Sequence, residues 1–157
     1  QHANMDTVTL STVSADSSWL TFEAESLSQL TASGSVEMRF DTPGRSTSTL
    51  QGSFAIIRFR EDKPYHVLIK GQGEMVHKTA DSALSATISG VGLEVDLTRS
   101  VLGAVRVDSN AVCNLEGEHP TRLSGDRLHL TFEDSRLIQA EVEGRVRGQY
   151  RTQEGHK

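Results

Sequence analysis

Leu123-Ser124-Gly125-Asp126-Arg127-Leu128-His129-Leu130-Thr131-Phe132, returning through Ala140-Glu141-Val142-Glu143-Gly144, is the stretch that decides the fold. Leu128, Leu130 and Phe132 alternate with polar residues, which is the period of a half-buried strand. Glu133-Asp134-Ser135-Arg136 breaks the pattern as a hairpin turn, and the alternation resumes at Ala140, Val142 and Gly144. Leu123 stands two residues before Gly125, so the apolar phase slips at the glycine. A bulge or bend is expected there, where a residue without Cβ is easiest to place.

The same unit occurs four times. Its anchors are pairs of small residues 19 positions apart: Ala15 and Gly34, Gly52 and Gly71, Gly90 and Ser109, Gly125 and Gly144. The fifth residue after each first anchor is Leu20, Ile57, Val95 or Leu130, and the seventh is Phe22, Phe59, Leu97 or Phe132. Val13, Leu50, Ile88 and Leu123 stand two before it. Return strands carry Val67 and Ile69, Val105 and Val107, then Ala140, Val142, Val146, Gly148 and Tyr150, with Glu141, Glu143, Arg145, Arg147 and Arg151 on the other face. A repeat of this length fixes architecture before any single motif does.

The expected fold is all-β, an antiparallel β-jellyroll or open two-sheet sandwich built from about four repeated β-hairpins. The repeats fall at about 13–40, 50–77, 88–115 and 123–150 within one domain covering residues 1–157. Turn-forming segments separate them: Asp41-Thr42-Pro43-Gly44-Arg45, Lys78-Thr79-Ala80-Asp81-Ser82 and Glu116-Gly117-Glu118-His119-Pro120. No sustained 3.6-residue period supports helix.

Composition narrows the function classes. A net charge of −5 does not suit nucleic acid, whose phosphates call for surplus Lys and Arg. No run approaches the roughly 18 apolar residues of a spanning helix. The single Cys113 excludes an intramolecular disulfide, and it falls four after its second anchor, where Met38 and Met75 stand in the first two repeats, so a core position is expected. None of the six histidines shows metal-ligand spacing, and surface positions are expected for them. Glu61-Asp62 and Glu133-Asp134 fall at nearly the same place in two repeats, which is better explained by turns than by an acid/base pair. No nucleophile motif, metal site or cofactor site is present, and no enzyme activity is expected.

The fourth repeat, with Gly125-Asp126-Arg127-Leu128 and Ala140 to Val146, resembles the OstA-type repeat of lipopolysaccharide-transport proteins, as do Leu30-Thr31-Ala32-Ser33-Gly34-Ser35-Val36 in the first and Ser109-Asn110-Ala111 in the third. The likeness runs from residue 13 to residue 150. It implies a β-jellyroll of the kind found in LptA, LptC and the amino-terminal domain of LptD. Such proteins are periplasmic, some of them membrane-anchored. They hold the acyl chains of lipopolysaccharide or a related lipid between their sheets. They join end to end with other Lpt-type jellyrolls, or with further copies of themselves, through edge strands.

On that reading the apolar interior row comprises Leu20, Phe22, Ile57, Phe59, Ile69, Val95, Leu97, Val107, Leu130, Phe132, Val142 and Val146. Burial of each methylene would contribute about 0.8 kcal/mol to holding an acyl chain. The competing expectation is an assembly module whose edges pair and whose core is filled. Gln1 is not an initiator, so a segment ahead of it is expected to have been cut away.

Overall fold

A computed structural model describes residues 8–98 and 101–150. Eleven strands follow one another: β1 (Thr9–Ser14), β2 (Ser17–Glu23), β3 (Ser26–Thr42), β4 (Ser46–Arg60), β5 (Lys63–Thr79), β6 (Leu84–Thr98), β7 (Val101–Gly117), β8 (Thr121–Gly125), β9 (Arg127–Glu133), β10 (Arg136–Glu143) and β11 (Arg147–Tyr150). All pairings are antiparallel and belong to one sheet. The long strands β3 to β7 each bend at mid-length, so this sheet folds over into two leaves. The first leaf has the order β2-β3-β4-β5-β6-β7-β9-β10, and the second β1-β3-β4-β5-β6-β7-β8-β11. Among the described residues its two ends do not pair with each other, so the jellyroll stays open.

The crease lies where the sequence slips phase. Pairing shifts register between Ser33 and Val36, Gly52 and Ala55, Ile69 and Gln72, and Ser89 and Val91. Gly34 and Gly71 take φ of 85° and 80° there, a region that costs a glycine nothing and most residues a steric clash. Opposite the crease, the first leaf ends in two-residue turns at Ala24-Glu25, Glu61-Asp62 and Asp134-Ser135. All six residues have φ between 51° and 69°. Positive φ at both central positions is the type I′ turn, whose twist matches that of the strands it joins. Glu61, Asp62 and Asp134 are therefore turn residues, as their placement in the repeats predicts, and Glu133 ends β9 directly before its turn.

Each leaf has one dry face, and the two dry faces meet. On the first leaf, Leu20, Leu30, Ile57, Val67, Val95, Val105, Leu130 and Ala140 stand directly opposite one another, strand after strand. On the second, Val13, Met38, Leu50, Met75, Ile88, Cys113 and Leu123 do the same. Directly opposed residues in antiparallel strands share a face, so each row is a continuous apolar ladder across the sheet. The middle of both ladders is fully buried. The outer face is charged: Glu94 receives a hydrogen bond from His66 at 2.7 Å, and Arg106 pairs with Asp96 at 2.6 Å.

Candidate functional site

The interior between the leaves is the candidate site. Two larger concavities lie on the outside, one of about 610 Å³ beside Arg60, Glu61, Lys63 and Asp96, the other of about 680 Å³ over the crease beside Glu37, Gln51, Gln72 and Glu74. Their polar linings do not suit an acyl chain. The interior is apolar, but it is closely packed. The gap lined by Val8, Phe40, Leu50, Val67, Met75 and Leu97 holds about 10 Å³, room for about one water.

The expected interior residues divide by position along the ladder. Ile57, Ile69, Val95, Leu97, Val107, Leu130 and Phe132 are buried together in one cluster, and Phe59 and Val142 pack against it half-buried. Leu20, Phe22 and Val146 do not join them, being 51%, 58% and 55% exposed. The reason is topological. Among the described residues β2 pairs with β3 alone and no further strand covers it, while Val146 lies in the link between β10 and β11, the last strands of the sheet. Trp19, on the opposite face of β2, is 50% exposed and meets Phe54 edge-on at 6.4 Å. The apolar row is thus sealed in the middle and open at its first strand.

All of the expected residues except Val146 belong to the first leaf. The second leaf contributes as much: Met38, Leu50, Met75, Ile88 and Cys113 are at most 1% exposed and face the first leaf. Their signal is present in the repeats, because the residues two before each first anchor and four after each second anchor prove to be cross-strand neighbours in one row. The Cys113 thiol, expected in the core, is pushed up to about 11 by burial, far from a reactive thiolate.

His2 and His156 lie outside the described residues, and among the described histidines one departs from expectation. His129 lies on the outer face, 4.0 Å from Glu141, but His77 is fully buried. Its Nε2 is 2.8 Å from the Ser135 carbonyl oxygen and its Nδ1 is 2.8 Å from Ser48 Oγ. A carbonyl can only accept, so Nε2 carries the proton and Ser48 donates to Nδ1. The Phe132 ring meets the imidazole edge-on at 5.1 Å. These bonds satisfy the ring inside an apolar interior, which makes burial tolerable. Burial holds its pKa below the ordinary 6.5, against the partial opposition of the Ser135 bond. Of the charged groups expected on the last return strand, Arg151 lies outside the described residues.

Among the described residues no three His, Cys, Asp or Glu side chains are grouped to hold a metal ion, and no helix is long and apolar enough to cross a membrane.

No protein-family model matches the chain, and no curated protein matches it in sequence. A solved structure matches it in fold: that of LptH, the LptA-homologous periplasmic component of the conserved lipopolysaccharide transport device from Pseudomonas aeruginosa. It superposes with a TM-score of 0.64 at 16% identity, over 90% of this chain and 94% of that one. The fold is the β-jellyroll that the repeats predict, of the LptA-like kind that the OstA-type resemblance implies.

Proposed function

We propose that this protein is a periplasmic lipopolysaccharide-transport component that binds acyl chains along its apolar interior and passes them on without chemistry. The observation that carries this reading is the first-leaf ladder from Leu20 to Ala140, an unbroken apolar track from one edge strand to the other. Its exposed start at Leu20 and Phe22 gives an acyl chain a place to land, and the shared fold with LptH supports the lipid class. Paired end to end through β2 and β10, several jellyrolls would join their tracks into one bridge towards the outer membrane, with other Lpt-type proteins or further copies as neighbours. Free strand edges are templates for such pairing.

The closely packed interior favours a second reading, an assembly module whose core binds nothing. Photo-crosslinking side chains at Phe59 and Phe132, combined with native mass spectrometry against rough lipopolysaccharide, separate the two. Lipid adducts at both positions are the expected result. Oligomers without any adduct would sink the lipid reading and leave the module.

A further inference from the structure

On the lip that faces away from the crease, side-chain hydrogen bonds join the two leaves. The β9–β10 turn of the first leaf reaches the second leaf through Ser135 and Arg136. Ser46 Oγ donates to Ser135 Oγ at 2.9 Å, His77 donates to the Ser135 carbonyl, and Arg136 pairs with Asp81 at 2.6 Å. Ser46, His77 and Asp81 come from β4, β5 and the β5–β6 turn, so the β9–β10 turn and the first residue of β10 are tied to three segments of the opposite leaf. Ser46 and Ser135 are buried, while the Arg136–Asp81 pair beside them is half-exposed.

This arrangement conflicts with lipid uptake as it stands, because a gap of about 10 Å³ admits no acyl chain. The leaves must part, and they are continuous at the crease, so they part at the lip. We propose that the Ser135–His77 contact, with Ser46, Arg136 and Asp81 around it, is a latch that holds the lip shut and must release before an acyl chain enters. This deepens the lipid-binding reading and rests on it.

A buried imidazole makes the latch sensitive to protons. Ser46, Ser48, Thr79 and Ala86 surround His77 from the second leaf, and Phe132 and Ser135 from the first. None of these is charged. The charged groups nearby are the Arg136–Asp81 pair, engaged with itself, and Arg45 and Asp134 in a small recess beside Ser135. An imidazolium would have no counter-charge within its pocket. The open form binds a proton more readily than the closed one, so closure is complete above pH 6.5 and weakens as pH falls below it.

The test uses uptake of cis-parinaric acid, a fluorescent fatty acid, by the whole chain. The Ser46→Cys and Ser135→Cys pair places two sulfurs where hydroxyls now lie 2.9 Å apart, within about 1 Å of disulfide length. Buried Cys113 does not compete for them. Uptake should be lost in the oxidised pair and restored by reduction. Arg136→Gln, at an exposed position, should speed uptake. In the unmodified chain uptake should quicken from about pH 8 to about pH 5.5, and in His77→Gln, whose amide keeps a donor towards Ser135, that dependence should vanish. Equal uptake by the oxidised and reduced pair, with Arg136→Gln unchanged, overturns the latch and leaves lipid binding standing. No uptake by the reduced pair, by Arg136→Gln or by the unmodified chain overturns the lipid reading, and the latch with it.

Discussion

The Cγ2 methyl of Ile69 occupies the space that a Cβ on Gly52 would need. The relation recurs through the repeats: Val107 stands over Gly90, and Val142 Cγ1 would lie 2.5 Å from a Cβ on Gly125. In each case the bulky residue is 17 positions after the anchor. The corresponding positions of the first repeat hold Ala15 and Ala32, where the anchor has a Cβ and its counterpart is small. The glycines are thus one half of a packing pair that sets how tightly the sheet folds over.

Gly52→Ala should therefore destabilise by overpacking, by about 1–3 kcal/mol. Ile69→Ala alone should cost about 2–5 kcal/mol for the cavity it leaves. Combined, they reproduce the Ala15 and Ala32 solution, so the double variant should lose less than the sum, with a coupling of about 0.5–3 kcal/mol. Urea unfolding of the four chains measures this, and strict additivity would show that the pair does not share its space.

That pairing explains why so much of the fold is legible in the sequence. The 19-residue spacing records a strand, a turn and a return, and the phase slip records the crease, because both are local consequences of one chain segment packing on the next. The folding over of the leaves is not local. Ser135 is 58 residues from His77 and 89 from Ser46, and no short-range pattern announces that they meet. His77 sits among alternating residues on a strand with inward Met75, so its phase points it inward, but residue type argues for the surface. A bonded partner on the other leaf overrides type. Leu20 shows the converse: its place in the repeat matches buried Ile57 and Leu130, yet an end strand has no neighbour to bury it.

The two kinds of interior position should separate in stability. Leu130→Ala, at a fully buried site, should cost about 2–5 kcal/mol. Leu20→Ala, half-exposed at the end of the same ladder, should change stability by no more than about 0.5 kcal/mol. Thermal or urea unfolding compares them directly. A large loss at Leu20 would mean that β2 is covered in solution by another chain.

Asp81 should titrate at about 2, below the usual 3.8, because the Ala83 amide, the Thr79 hydroxyl and the Arg136 guanidinium all favour its carboxylate. A lowered carboxylate pKa means that its stabilising contribution is complete above pH 3.8 and is lost as pH falls through about 2. Arg136→Gln removes one of three partners, so the midpoint should rise while staying below 3.8, since the Ala83 bond remains. Carboxyl-detected NMR titration reads both values. The same midpoint in both chains would mean that the lip pair is not formed in solution.

The two edge strands of the first leaf differ in a way that makes the mode of assembly testable. β2 carries exposed Trp19, Leu20 and Phe22, and β10 carries Ile138, 57% exposed at a register shift in its pairing with β9. Pairing of β2 with β10 of the next copy is heterologous, so it propagates, whereas β2 on β2 would close as a two-fold dimer. Lysine on an edge strand opposes pairing and, at exposed positions, should leave stability within about 0.5 kcal/mol. Leu20→Lys with Phe22→Lys should abolish concentration-dependent oligomers, and so should Ile138→Lys on its own. Each of these chains keeps one working edge, and the two edges are complementary. Mixing them should restore association, but only as 1:1 heterodimers, which sedimentation velocity resolves from longer chains. Dimers that persist in Ile138→Lys alone would instead establish β2-on-β2 pairing, in which the ladders of two copies meet at their exposed ends and no bridge longer than two subunits can form.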